Sequence, residues 1–191
     1  YLRAGRPEEA RSAHLRSYRL AKDNPDNLVI VANNIVFAAV TGNEARALAL
    51  VERHLPWLAH DQLNVDGHFT ALSAIGFALD RVTEAGHGDA RVRGADSPAL
   101  TPFFGAHEGP WTASELAAAA NAAAERIGAA FDERDGTDAH AARLARTRAL
   151  STQRWDVPIR SDAFAAAPVA PEPQDAEGWY DRAVALGSYG S

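Results

Sequence analysis

The sequence predicts an all-α fold in which antiparallel helix hairpins stack side by side as an α-solenoid. Two observations lead there. A glycine, four mostly polar residues rich in acids, and then an alanine recur at 5–10, 42–47 and 136–141. Around these points apolar residues return every three or four positions, the spacing that lines one face of a helix. The recurring pattern has a mechanical reading. Glycine closes one helix in the left-handed conformation, and acidic residues suit the positive N-terminus of the next. Gly5 and Gly42 stand 37 residues apart and Gly136 a further 94, which leaves room for one intervening unit and an insertion.

The elements follow in order. Residues 7–22 read as the second helix of a hairpin, with Pro7 in the first turn, where a backbone amide has no partner within the helix. Residues 28–41 are apolar nearly all round, interrupted by Asn33 and Asn34, and are expected to be covered on both sides as an inner layer. Residues 44–59 set Leu48, Val51, Leu55 and Leu58 on one face, and Pro56 predicts a kink or an end near Leu55. Residues 66–85 continue the pattern through Phe69, Leu72, Gly76, Leu79 and Val82.

The period is then lost. Residues 86–110 hold five of the fourteen glycines and three prolines, and a connection this long is unusual inside a compact domain. Its apolar Leu100, Phe103 and Phe104 predict that it lies on something apolar. Phe103, Phe104 and Trp111 are its candidate contact residues. Thr112 with Glu115 three residues on is a capping-box pair, opening a helix to about 134 with a stripe of Leu116, Ala120, Ala123, Ile127 and Phe131. Residues 139–151 complete that hairpin. The expected division is a repeat domain at 1–151 with the long loop 86–111 inserted, a Pro- and Ala-rich linker at 152–176, and at 177–191 the start of a further helix or a tail.

Two local features give the architecture a family likeness. Tyr1 stands four residues before Gly5, and Asn24-Pro25-Asp26-Asn27 follows the helix at 7–22. With the glycine pattern, these residues resemble the tetratricopeptide repeat family, well over residues 1–59 and in part over 112–150. Asn34-Ile35 replaces the Leu-Gly pair of that family's first helix. The resemblance implies a concave groove lined by the first helices of successive hairpins, here 28–41 and 66–85. The groove candidates are Asn33, Asn34, Val36, Val40, Phe69 and Ser73. Asn33 is the leading anchor for a bound peptide backbone, although the two asparagines are also expected to hydrogen-bond between helices, since a buried amide needs partners.

Composition bounds the function. There is no cysteine, so disulfides, thiolate metal sites and cysteine nucleophiles are excluded. The formal net charge of −6 gives no electrostatic reason to bind nucleic acid or an anionic membrane. No apolar run approaches the ~20 residues that span a bilayer, and no signal-peptide pattern opens the chain. A cytoplasmic, bacterial setting and a fragment of a longer chain are expected. None of the seven histidines is paired at metal-ligand helical spacing, and no hydrolase elbow or phosphate loop is present. No metal, cofactor or catalysis is therefore expected. Arg143 and Arg146 belong to a basic stretch that either cradles an acidic ligand or forms a solvated helix face. The leading expectation is an interaction module holding a protein or peptide, with a homodimer contact available at an apolar edge near Tyr1 and Leu2. The alternatives are a regulatory segment packed on a neighbouring domain, and an enzyme whose site is assembled from distant loops.

Overall fold

The computed structural model describes residues 1–60 and 63–159. The linker beyond 159 and the further helix or tail expected at 177–191 lie outside the described residues. Among those described there are seven α-helices and no strand: α1 (Pro7–Ala21), α2 (Leu28–Val40), α3 (Glu44–His54), α4 (Val65–Val82), α5 (Thr101–Phe104), α6 (Ala113–Asp135) and α7 (Ala139–Arg148). The described part of the chain is all-helical, and no described helix is long and apolar enough to cross a membrane.

The three recurring glycines share one conformation. Gly5, Gly42 and Gly136 have φ of 67°, 73° and 63°, the left-handed region that a side chain disfavours. Each reverses the chain into the following helix. Pro56 ends α3 where the sequence placed the end, and Leu55–Ala59 continues as a 3₁₀ turn. The Thr112–Glu115 capping box forms in full at the start of α6.

Packing runs in chain order. α2 lies between α1 and α3, and α4 lies against α2, α3 and α6, with α7 turned back beside α6. α4 is the hub: Phe69, Leu72, Leu79 and Val82 are all buried. Its contact with α6 is close because the facing residues are small, among them Gly76, Ala117, Ala120, Ala124 and Gly128. A Cβ on Gly128 would stand 2.9 Å from the Phe69 ring. Asp132 of α6 caps α7, accepting hydrogen bonds from the amides of His140 and Ala141 at 2.9 Å each.

Two findings differ from the sequence expectation. α2 is not covered on all sides: Val29, Ile30 and Asn33 are exposed. An apolar circumference shows that a helix can be covered all round, but the described neighbours occupy only part of it. The chain after α7 is also less loose than linker composition implies. Residues 153–159 run extended along the Thr41–Asn43 turn, with Val157 buried. Trp155 N–H donates to the Val40 carbonyl at 3.0 Å, and Asn43 Nδ2 donates to the Val157 carbonyl at 2.8 Å.

The 86–111 connection is docked. Val92, Ala95, Leu100, Phe104 and Trp111 are buried. Val92 N–H donates to the Trp111 carbonyl at 2.9 Å, and Ala113 N–H to the Ala90 carbonyl at 2.8 Å. Arg93 clasps Glu52 of α3 through its backbone and guanidinium. The loop thus fills space beside α3, α4 and α6.

Candidate functional site

A cleft of about 510 Å³ opens between α1 and α2. α1 contributes Ala10, Ala13, His14 and Ser17, residues that helical spacing brings to one face. α2 contributes Asn33, Asn34, Val36, Phe37 and Val40. Tyr1, Leu2 and Arg3 also line it, as do Leu150 and Trp155 from beyond α7. Most of this wall is apolar.

The polar groups in the wall divide into spent and free. Asn34 is buried, and its Nδ2 donates to the Ile30 carbonyl at 2.8 Å and to Ser17 Oγ at 3.2 Å. It ties α2 to α1. Asn33, one residue earlier, points outward, and among the described residues its side chain makes no hydrogen bond. His14 stacks on Phe37, ring centroids 4.5 Å apart and 17° from parallel. Among the described residues neither of its ring nitrogens has a hydrogen-bond partner; the nearby Asn34 side chain favours protonation, but less than the two opposing causes disfavour it. Burial, reinforced by the positive charge of Arg46, pulls the His14 pKa from 6.5 to about 4. The ring is therefore a neutral aromatic surface near neutral pH.

A second cleft of about 80 Å³ continues from the first across Asn33 and Val36, which line both. It is bounded by Phe69, Thr70 and Ser73 of α4 and by Arg143 and Thr147 of α7. Arg143 is fully engaged: it pairs with Asp66, donates to Thr70 Oγ1 at 2.8 Å, and stands 4.7 Å over the Phe69 ring. That guanidinium holds the Asp66 carboxyl below its ordinary range. No family model matches the chain, and no curated protein or solved structure matches it significantly.

The six groove candidates thus lie on two adjoining clefts. Asn33 and Val36 sit at the junction, Asn34 and Val40 in the larger, Phe69 and Ser73 in the smaller. Val40, Phe69 and Ser73 contribute from largely buried positions. The loop candidates stand apart and are spent on packing the loop, within itself and against α4. Phe103 stacks on His68 at 4.9 Å, and Phe104 meets Trp111 edge-on at 6.2 Å. Arg143 joins the smaller cleft, whereas Arg146 is exposed elsewhere on α7.

Sequence reasoning did not select Ala13, His14, Leu150 or Trp155, and it gave Tyr1 and Leu2 as an apolar edge for a dimer contact, not as part of the groove. The Ala10, Ala13, His14, Ser17 spacing was a readable signal for the α1 wall. The remainder required knowing which distant segments meet. The histidines are mostly aromatic packing pieces: His54 packs edge-on against Trp57, His107 stacks on Trp111, and His140 stacks on Phe131. Among the described residues, no three His, Asp or Glu side chains converge as a metal site would require.

Proposed function

We propose that this chain is a protein-interaction module, built of tetratricopeptide-like hairpins in series, that holds an apolar segment of a protein partner along α2. The observation that carries the reading is the mainly apolar cleft between α1 and α2, which adjoins a smaller cleft of mixed polar and apolar lining beside α4 and α7. Asn33, an outward-facing amide, stands where the two meet. A cleft of this kind supplies affinity by burying apolar side chains, at roughly 25 cal/mol per Å² removed from water. A single polar anchor then fixes register. The shared left-handed glycines and the chain-order packing of α1, α2, α3, α4, α6 and α7 support the repeat reading. A cysteine-free chain suits a reducing cytoplasm.

The test is a peptide-display selection against the immobilised full chain, followed by binding to wild type and to Val36→Arg. Val36 is half-buried between the two clefts, so an arginine there obstructs both without entering the core. The selected peptides should be rich in large apolar residues and lose about tenfold or more in affinity for the variant. Equal binding to both proteins would sink the proposal.

A further inference from the structure

We infer that the partner held in the larger cleft is this chain's own segment at 177–186, so that the cleft is self-occupied until a competing segment displaces it. The inference rests on the interaction reading above and names its first occupant. The exit of the chain is the first argument. Ile159 N–H donates to Asn43 Oδ1 at 2.7 Å, so the described chain ends pinned to the α2–α3 turn. Trp155, four residues earlier, already lines the cleft. The tether therefore starts at the rim of the site.

Reach is the second argument. Seventeen residues, 160–176, separate the pinned end from 177, and an extended chain covers up to ~3.3–3.6 Å per residue. That length passes any point of a cleft bounded by two short helices. The composition of the segment is the third. Trp179, Tyr180, Ala183 and Leu186 recur at three- and four-residue spacing, an apolar sequence pattern headed by an aromatic pair. The facing wall offers the His14–Phe37 aromatic stack and the alanines of α1.

Charge agrees. Glu172, Asp175, Glu177 and Asp181 make this stretch acidic, offset only by Arg182. Arg3 lines the cleft and, among the described residues, forms no ion pair. A tether of seventeen residues holds a segment at roughly millimolar effective concentration. At micromolar protein this favours the chain's own segment over the same segment of a second copy.

The experiment uses the whole 191-residue chain, whose lack of cysteine makes single-site labelling clean. A nitroxide on Ser188→Cys should selectively broaden the amide resonances of Ala13, Ser17, Val36 and Phe37 while sparing Ala129 and Ala145 on α6 and α7. Broadening should be independent of protein concentration. Trp179→Ala with Tyr180→Ala should abolish it and tighten binding of the display-selected peptides by about three- to tenfold, as removal of an internal competitor requires. Absent or uniform broadening overturns the inference. So does broadening that arises only when spin-labelled chains are mixed with unlabelled isotope-enriched ones, because the occupant is then a second copy. If the selected peptides still depend on Val36 while the nitroxide leaves the cleft untouched, the self-occupancy falls and the interaction reading stands.

Discussion

Asn121 Cγ lies 2.7 Å from the position that a Cβ on Gly76 would occupy, and the Asn121 amide in turn donates to Asp80 Oδ2 at 2.9 Å. The α4–α6 contact is thus set by the absence of a side chain at one residue and a hydrogen bond one turn further along. Gly76→Ala should destabilise the fold by ~1–3 kcal/mol through overpacking, although alanine is the better helix former. Urea unfolding measures it. The double variant with Asn121→Ala should recover part of the loss, since the clashing side chain is then gone; strictly additive effects would argue against this contact.

The two asparagines of α2 should separate cleanly. Asn34→Ala removes hydrogen bonds to Ser17 and Ile30 inside the α1–α2 contact and should cost ~1–2 kcal/mol. Asn33→Ala should leave stability within ~0.5 kcal/mol, as exposed substitutions do, yet weaken capture of a cleft peptide. Thermal unfolding paired with peptide titration reads both, and a reversed pattern would contradict the assignment.

Acid should loosen the α1–α3 region. His14 and His54 are both buried, and burial first, with Arg46 near the one and Arg53 near the other, lowers each pKa to about 4. In the unfolded chain they bind protons near 6.5. The stability that comes from keeping them neutral is complete above that value. It is lost as pH falls from 6.5 toward 4, because the unfolded state takes up protons first. The loss is on the order of 2–3 kcal/mol per histidine. In His14→Phe the share of that slope due to His14 should vanish, as denaturant midpoints between pH 7 and pH 4 will show.

The docked loop should behave as core. Limited proteolysis of the intact chain should cut 86–111 no faster than α6. Leu100→Ala, at a position only 1% exposed, should cost ~2–5 kcal/mol and expose the loop to cleavage. Early cutting of the wild-type loop would show that its packing is weaker than its burial implies.

Local signals in the sequence were faithful. The spacing of Gly5, Gly42 and Gly136 announced three left-handed turns, Pro56 announced the end of α3, and Thr112 with Glu115 announced the start of α6. Each depends on interactions within a few residues. What failed to show depends on segments far apart in the chain. Asp138 stands where a cap for α7 belongs, but Asp132 of the preceding helix does the capping. The exposure of Val29 and Ile30 follows from which neighbours are present, and periodicity carries no record of that. The groove candidates were legible on α2 and α4, while the rest of the wall comes from residues at both ends of the described chain.

The side chain of Asn43 binds the extended segment as a neighbouring strand would, giving its Nδ2 hydrogen to the Val157 carbonyl and taking one from Ile159. At the corresponding place after the other two recurring glycines stand Arg6 and Thr137, neither of which offers an amide with that paired donor and acceptor. The three glycine turns, alike in backbone, are therefore individually addressed: moving the α2–α3 turn elsewhere in the chain would keep a turn and its helices, but the extended segment would find no berth.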